Sequence, residues 1–422
     1  MLLGCNSFMV GNTYPYTTQD WVDDIRLAHD NGFDGFALNV GPEDWQVGRV
    51  QDCYNAAQST ALPFKLFISF DMMCIPCASM DEIGRLLCHI QPFVNHGNQY
   101  YRDGKLVIST FAGQDSKFGH HGFERGWTHI KRRLEEITPI CFIPSFFIDP
   151  RKYPSLPFMD GYFNWNGSWP IHLTKDSPPS EVKLPRLDTD QHHLHHLGGR
   201  TFMAAISPWF FTHYGPDSWN KNWIYRGDDH LFVRRWEQIV KMRDQVDIAQ
   251  IISWNDYGES HYVGPIKGAQ PNSQAWVDGF PHEPWLQLNS YFSFAFKHGY
   301  YPKISLDKIF IWGRPHPKAA NASHDPVPRP NHWQLADDKF WVVVLATAPG
   351  TIRLSSGEHT KAWDVPAGLS KLSHPLECGG TMRASLYRDD GLVAHVDATE
   401  LGFNFDPSPR VYNFNVLVTM SS

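Results

Sequence analysis

Short apolar runs recur along the first 300 residues of the chain, and amphipathic segments lie between most of them. Each run is almost continuously apolar, which is typical of strands buried on both faces of a parallel sheet. Eight strands alternating with helices over this length predict an α/β fold, a (β/α)8 TIM barrel that spans residues 1–300. The eight runs are Leu2–Val10, Gly35–Val40, Lys65–Phe70, Lys105–Phe111, Ile140–Phe147, Gly161–Asn164, Thr201–Trp209 and Ile248–Trp254.

Helix signals lie between most of these runs. We expect Thr18 to be the N-cap of a first helix that ends at Gly32. Ser79 and Glu82 have the spacing of a capping box that opens another helix. Further helical patterns cover residues 43–57, 122–137 and 228–246, whereas the Pro-rich stretch 167–200 predicts a long loop.

After about residue 300 the pattern changes to short β-type runs separated by Gly, Pro, Asn and Asp. No helical period appears there, so residues 301–422 are predicted to form an antiparallel β-sandwich domain. Residues 315–330 are rich in Pro and predict a loop inside this domain. The runs are Ile309–Trp312, Phe340–Ala346, Gly350–Leu354, Met382–Tyr387, Gly391–Val396 and Val411–Met420.

The composition indicates which classes of molecule the protein is expected to bind. A net charge of −7 favours neither nucleic acid nor an anionic membrane and suits a neutral polymer. No run of about 20 apolar residues occurs, so no transmembrane helix is expected. The start, residues 1–6, is too short for a signal peptide and lacks its basic region. The 16 Trp residues are either core residues or platforms on which sugar rings stack.

Carboxylates follow several predicted strands directly. Barrel enzymes place their catalytic groups at the carboxyl ends of the strands. Asp71, which follows the third strand, is therefore a candidate catalytic residue. Asp256 and Glu259 follow the eighth strand and are the sharper signal, because two carboxylates stand three residues apart beside aromatic residues. Asp115 and Asp149, after the fourth and fifth strands, are weaker candidates.

A carboxylate pair at the mouth of a barrel indicates glycoside hydrolysis. One carboxyl group protonates the leaving oxygen, and another activates water or attacks carbon. Neighbouring aromatic rings can desolvate one carboxyl group and raise its pKa, which separates the two roles. The competing interpretation is that Asp256 and Glu259 cap a helix or lie in a solvated loop.

Polar and aromatic residues near the strand ends are candidates for sugar binding, although each could instead be a packing residue. Asn39, Asn164, Asn166, His213, Tyr214 and His261 could hydrogen-bond sugar hydroxyls. Trp165, Trp169, Trp209, Trp223 and Trp254 could form stacking platforms, and Asn255 and Tyr257 flank the carboxylates.

Other motifs give little support to metal, redox or phosphate chemistry. Cys74 and Cys77 form a CxxC without a second pair, so a local disulfide or buried thiols are favoured over a metal or redox site. The run His192–His196 suits either a metal site or a polar loop. Gly-rich phosphate motifs and a GxSxG nucleophile elbow are missing from the sequence. We expect no cofactor and no metal.

Several long stretches resemble the fungal α-1,3-glucanases (mutanases) of glycoside hydrolase family 71. The matching stretches are Phe8–Thr13, Asp34–Gly41, Leu66–Met72, Ile206–Tyr214 and Ile252–Tyr262. The resemblance implies a (β/α)8 barrel with a β-sandwich, and inverting cleavage of α-1,3-glucan in fungal cell walls. It also implies that Asp71, Asp256 and Glu259 are the essential carboxylates and that the protein is extracellular or in the cell wall. Residues 3–7 depart from the usual family pattern.

The sequence therefore predicts a cofactor-free, endo-acting α-1,3-glucanase, a monomer whose partner is a polysaccharide. We assign Glu259 as the general acid and Asp256 or Asp71 as the base. Three alternatives remain open at this point. The first is a glycosidase acting on another α-glucan or mannan linkage, the second a catalytically inactive glucan-binding protein, and the third a metal-dependent barrel hydrolase that uses His192–His196.

Overall fold

All eight predicted strands of the N-terminal part are present. The structure is a computed structural model that describes residues 3–422. Leu2, at which the first predicted strand begins, lies outside the described residues. In chain order the strands are β1 (Leu3–Met9), β2 (Gly35–Val40), β3 (Lys65–Asp71), β4 (Tyr101–Arg102), β5 (Lys105–Phe111), β6 (Ile140–Ser145), β7 (Gly161–Asn164), β8 (Thr201–Ile206), β9 (Phe211–His213), β10 (Asn222–Ile224) and β11 (Ile248–Ile251).

Eight of these strands, all except β4, β9 and β10, form a curled parallel sheet. β4 pairs antiparallel with β5, and β9 and β10 form a separate two-stranded antiparallel sheet. β1 pairs with β2 on one side and with β11 on the other. The sheet continues from β2 through β3 and β5 to β6, and from β11 through β8 to β7. Within residues 3–422 no strand ladder joins β6 to β7. Asp160, just before β7, nevertheless donates its N–H to the carbonyl of Phe142 in β6 at 2.9 Å.

The two faces of the sheet carry different side chains, because successive residues of a strand point to opposite faces. Phe36 and Leu38 belong to the larger apolar cluster, which includes the buried faces of the helices. Ala37 belongs to a second cluster on the concave face, together with Phe67 and Val107. Towards the carboxyl ends the concave positions become polar: Ser7, Asn39, Ser69, Asp71, Ser109 and Ser145. A polar layer at this end of the sheet is suited to a site.

The helices confirm most of the predicted pattern. They are α1 (Thr18–Asp30), α2 (Trp45–Thr60), α3 (Ile83–Leu87), α4 (Phe123–Glu135), α5 (Pro179–Val182), α6 (Thr189–Leu197), α7 (Leu231–Lys241), α8 (Gln274–Val277) and α9 (Pro284–His298). The N-cap of α1 is Thr17 and not Thr18, since Asp20 donates its N–H to Thr17 Oγ1 at 3.3 Å. The predicted capping box is present, and Ser79 donates its N–H to Glu82 Oε2 at 3.0 Å.

Helices α5, α6, α8 and α9 were not predicted. The stretch 167–200 is not one long loop, because it contains α5 and α6. Helix α9 buries eight of its fifteen residues, including Trp285, Leu286 and Phe292. A helix that is apolar around most of its circumference lacks the amphipathic period from which helices are predicted.

The C-terminal part consists of two four-stranded antiparallel sheets. Its strands are β12 (Lys308–Gly313), β13 (Lys339–Ala346), β14 (Gly350–Ser356), β15 (His359–Val365), β16 (Gly368–Pro375), β17 (Arg383–Arg388), β18 (Gly391–Asp397) and β19 (Leu417–Met420). The orders are β16–β13–β12–β19 and β15–β14–β17–β18. β15 and β16 were not predicted, because most of their residues are exposed or half-buried and carry little apolar alternation. β19 begins six residues later than predicted.

The two antiparallel sheets share one apolar cluster, to which Ile309 and Val342 contribute from one sheet and Ile352 and Leu386 from the other. The opposite face of β12 packs on the N-terminal part, where Trp312 lies edge-to-face on Trp285 with ring centroids 5.8 Å apart. The two parts therefore share a core. Among the described residues no helix is long and apolar enough to cross a membrane.

Candidate active site

Three carboxylates lie at the carboxyl end of the curled sheet. Asp71 is the last residue of β3, whereas Asp256 and Glu259 lie in the loop after β11. In the sheet the order is β11, β1, β2, β3, so two strands separate the two positions. All three residues were predicted at this edge because they directly follow strands, and the topology brings them there.

Buried hydrogen bonds fix the loop that carries Asp256 and Glu259. Asn255 Oδ1 accepts the N–H of Met9 at 2.7 Å, and its Nδ2 donates to the Met9 carbonyl at 3.1 Å. Asp256 donates its N–H to Ser253 Oγ at 2.7 Å, and Tyr257 donates its hydroxyl to the Pro265 carbonyl at 2.7 Å. The side chains of Asn255 and Tyr257 thus hold the loop in place.

His261 bridges the two carboxylates of this loop. Its Nε2 lies 2.8 Å from Asp256 Oδ2 and 3.3 Å from Glu259 Oε2. The imidazole is buried, with ring centroids 5.7 Å from Trp169 and 5.6 Å from Phe210. Burial by itself lowers the pKa of His261, but the charges of Asp256 and Glu259 outweigh it and raise the pKa. The two carboxylates thus favour the protonated form of the ring.

Glu259 also faces a lysine. Lys221 Nζ, on the turn between β9 and β10, lies 3.2 Å from Glu259 Oε1. Burial and the charge of Asp256 raise the pKa of Glu259, although His261 and Lys221 oppose the rise. A raised pKa favours the protonated carboxyl group, which is the form that a general acid needs.

Asp71 faces the same space from the other side. Burial raises its pKa to about 6, and the charge of Glu259 adds to the rise, while the Met73 N–H, 3.1 Å from Oδ1, opposes it. The pKa of Lys221 is raised by Glu259 first, and Asp256 and Asp71 add to it. The charges of all three carboxylates thus act on the same lysine.

Three residues at this site had not been predicted: Lys221, Tyr225 and Phe210. Lys221 lies on an exposed turn, where a lone lysine gives no signal in a sequence. Burial raises the pKa of Tyr225, and the charge of Glu259 adds to it, so the phenol is a neighbour of this carboxyl group. Phe210 lies just after the predicted strand Thr201–Trp209, and the strand itself ends earlier, at Ile206.

Besides His261, Asn255, Tyr257 and Trp169, four more of the residues predicted to bind sugar border the carboxylates or line the same end of the sheet. Trp165 packs beside His261, with centroids 6.5 Å apart, and Asn39 lies in the polar layer at the end of β2. Asn166 is half-buried just after β7. Tyr214 donates its hydroxyl to the Pro271 carbonyl at 2.7 Å, and its pKa is raised by burial and by the charges of Asp256 and Glu259.

Two others contact the C-terminal part. Trp209 donates its Nε1–H to the carbonyl of Phe414 at 2.8 Å. His213 Nε2 lies 2.9 Å from Asp325 Oδ2, and Asn222 in β10 donates to the carbonyl of Pro328 at 2.7 Å. The hairpin that carries Lys221 is thereby held by the loop 315–330. Trp254 is fully buried, with its ring 5.2 Å from that of Phe36.

The cysteine and histidine motifs lie outside this cluster. Cys74 and Cys77 are unpaired, and Cys74 is exposed, so neither a local disulfide nor a buried thiol describes Cys74. His192–His196 lies on α6 and not in a polar loop, and His193 pairs with the Tyr153 hydroxyl at 2.7 Å. Burial lowers the pKa of His193 to about 4. Over residues 3–422 only Asp256, Glu259 and His261 offer three ligand atoms for a metal within 4.8 Å of one another.

Comparisons with known proteins agree on one family. The family model described as glycosyl hydrolase family 71 matches residues 5–422. The chain is 36% identical to the glucan endo-1,3-alpha-glucosidase agn1 of Schizosaccharomyces pombe, over 97% of this chain and 92% of that protein. It is 32% identical to the ascus wall endo-1,3-alpha-glucanase of the same yeast, over 90% and 87%. A mutanase of Penicillium rubens is 31% identical, over 97% and 87%.

Among solved structures, the chain is similar in fold to a GH99 endo-alpha-mannosidase of Bacteroides thetaiotaomicron. The TM-score is 0.51 at 13% identity, over 71% of this chain and 99% of that one. At this identity the likeness concerns the fold alone.

Proposed function

Since the chain belongs to glycosyl hydrolase family 71, we propose that this glycoside hydrolase cleaves internal α-1,3-glucosidic bonds of fungal cell-wall α-1,3-glucan. Three relatives matched over most of their length carry names that specify a 1,3-alpha-glucosidase, a 1,3-alpha-glucanase or a mutanase. The observation that carries the chemistry is that Asp71, Asp256 and Glu259 lie at one end of the sheet around a single lysine.

We also propose that residues 1–300 form a complete (β/α)8 barrel and that residues 301–422 form a β-sandwich. The hydrogen bond from Asp160 to Phe142 supports closure of the sheet between β6 and β7. Asp160 Oδ2 also accepts the N–H of Phe142 at 2.9 Å. The apolar cluster shared by the two antiparallel sheets supports the sandwich.

Glu259 is the general acid of the proposed reaction. Its raised pKa keeps a proton available for the glycosidic oxygen, so the bond between that oxygen and the anomeric carbon breaks as the proton moves. A neutral carboxyl group is also the form that a buried site favours. His261 and Lys221 hold the side chain in place through Oε2 and Oε1.

Asp71 is the base that activates water. Inverting hydrolases separate their two carboxyl groups by about 6.5–9.5 Å, because the attacking water must fit between base and sugar. Asp256 and Glu259 are too close for this arrangement, since oxygens of the two groups lie within 4.8 Å of each other. Asp71 approaches from β3, across the mouth, and it accepts the proton of the water that attacks the anomeric carbon.

Asp256 then has an electrostatic role. Its carboxylate pairs with His261 and raises the pKa of its neighbour Glu259. The site is proposed to need no metal, because the His261 nitrogen that could bind one already donates to a carboxylate and Lys221 supplies a fixed cation.

We also propose that the protein acts in the cell wall, which the name of the ascus wall relative supports, and that it is a monomer.

The test is release of reducing sugar from insoluble α-1,3-glucan, beside β-1,3-glucan, starch and mannan. Early products should be a mixture of oligosaccharides, as internal cleavage requires, and proton NMR should show the β-anomer first. Asp256→Asn should lower release strongly, because it removes the charge that pairs with His261 and raises the pKa of Glu259. Release from starch or mannan alone would indicate another linkage, and binding without release from any polymer would indicate an inactive glucan-binding protein.

A further inference from the structure

An aromatic pair lies exposed at the carboxyl ends of β1 and β2. Tyr14 follows β1 and precedes α1, and Trp45 is the first residue of α2. The ring centroids are 5.2 Å apart and the planes meet at 85°. Tyr14 is 67% exposed and Trp45 is half-buried. An exposed aromatic ring offers a flat apolar face on which another apolar surface can stack.

The loops that carry Tyr14 and Trp45 follow the two strands that lie between the carboxylate-bearing strands in the sheet. In the sheet, β1 and β2 separate β11, which leads to Glu259, from β3, which ends at Asp71. Asn12 Nδ2, two residues before Tyr14, donates to the Asn255 carbonyl at 2.9 Å. The loops that carry the pair therefore form one rim of the mouth, next to the proposed general acid.

Hydrogen bonds fix both loops. Gln46, beside Trp45, is buried, accepts the N–H of Gly41 at 2.8 Å and donates to Glu43 at 2.6 Å. Arg49 donates to the carbonyl of Tyr16 at 2.7 Å, which ties α2 to the loop of Tyr14. The rings are thus held in position before any ligand arrives, which lowers the entropy lost on binding.

We propose that the Tyr14–Trp45 pair is a subsite for a glucosyl residue on one side of the bond that is cleaved. This inference rests on the proposed function. A chain cleaved between Asp71 and Glu259 must pass between them, so one of its two flanks crosses the rim formed by the loops after β1 and β2. The apolar C–H face of the sugar lies on the Tyr14 ring, and the Trp45 ring forms the adjacent wall.

A second exposed tyrosine provides a matched control. Tyr300 is 63% exposed and follows α9. The last turns of α9 lie at the opposite end of the sheet, because Lys297 Nζ donates to the carbonyl of Gly32 at 3.0 Å and pairs with Asp34 just before β2. Tyr300→Ala removes an equally exposed ring that is distant from the carboxylates.

The experiment measures kcat/KM of wild type, Tyr14→Ala, Tyr14→Phe, Trp45→Ala and Tyr300→Ala on α-1,3-glucooligosaccharides of increasing length. Tyr14→Ala and Trp45→Ala should lose about tenfold on long chains, which corresponds to about 1.4 kcal/mol, and little on the shortest chain that is cleaved. Tyr14→Phe keeps the ring and should match wild type, as should Tyr300→Ala.

An equal loss at all lengths, or no loss at any length, would overturn the subsite while leaving the proposed function intact. Loss in Tyr14→Phe equal to that in Tyr14→Ala would also overturn it, because stacking requires the ring and not the hydroxyl. Wild type that cleaves none of these oligosaccharides and no α-1,3-glucan would overturn both proposals. Thermal midpoints of all variants show whether a loss comes from unfolding.

Discussion

Nε2 of His261 lies 2.8 Å from Oδ2 of Asp256, inside a wall of aromatic rings. The same nitrogen lies 3.3 Å from Glu259 Oε2. Two carboxylates this close repel each other, and in a buried site the repulsion is strong. His261 bridges the two groups in one arrangement, and its charge lowers the pKa of Glu259.

Replacing His261 by Gln should therefore move the pH dependence of the enzyme. The charge of His261 lowers the pKa of Glu259, so its removal raises that pKa and shifts the alkaline limb of kcat/KM upward by about one pH unit. We also expect kcat to fall about tenfold or more, because the acid is no longer held in place. The measurement is a pH profile of wild type and variant.

Lys221→Ala is the companion variant for this prediction. Lys221 also lowers the pKa of Glu259, yet its side chain is 46% exposed, so its removal puts the fold at little risk. The alkaline limb of the kcat/KM profile of Lys221→Ala should move in the same direction as that of His261→Gln. If both variants retained the wild-type limb, Glu259 would not be the group that titrates there.

Glu259→Gln should lower kcat by about a thousandfold and change KM by less than about threefold, because a general acid contributes chiefly in the transition state. Asp115→Asn is the control, since Asp115 lies at the same end of the sheet but is exposed, in the loop after β5. Steady-state kinetics on a soluble α-1,3-glucooligosaccharide would measure both. Turnover close to that of wild type would remove Glu259 from the mechanism.

Asp71 should determine the acidic limb of the pH profile of kcat/KM. A general base works only when it is ionised, and burial raises the pKa of Asp71 to about 6, so kcat/KM should rise as pH increases through about 6. Asp71→Ala should remove this limb together with most of the activity. Added azide can replace water as the nucleophile, and inversion predicts a β-glucosyl azide as the product. Formation of the α-azide would contradict the inverting assignment.

The same carboxyl group should destabilise the folded protein at neutral pH. Its pKa in the folded state is about 6, above the ordinary value of 3.8, so its contribution to stability is present below pH 4 and lost as pH rises through 6. Asp71→Asn carries no charge, so it should exceed wild type in free energy of unfolding by about 1–3 kcal/mol at pH 7. Urea unfolding at pH 4 and pH 7 tests this, and an advantage equal at both pH values would refute the explanation.

The parallel strands and the carboxylates could be predicted because their signals are local. Each strand is a short apolar run, and Asp71, Asp256 and Glu259 directly follow such runs, so the topology of parallel strands was enough to bring them to one edge. Lys221 could not be found in this way. It reaches Glu259 from a turn 38 residues earlier in the chain, and no pattern in its own segment marks it.

The roles of some polar side chains also depend on partners that are distant in sequence. Asn255 had been predicted to bind sugar from its position beside Asp256, and its amide bonds to Met9, 246 residues away. His213 faces Asp325, which lies in the C-terminal part. A sequence shows that such residues are polar and near strand ends, but only the fold shows which group they contact.

The hairpin that carries Lys221 depends on the C-terminal part of the chain. Besides the contacts of His213 and Asn222 with the loop 315–330, Ile224 donates its N–H to the Asn331 carbonyl at 3.2 Å, and Asn331 donates back to the Asn222 carbonyl at 3.0 Å. A gene rearrangement that exchanged the second part for another domain would leave this hairpin without support and displace a cation from the carboxylates. The two parts should therefore be inherited together, and the second should not recombine freely as an independent binding module.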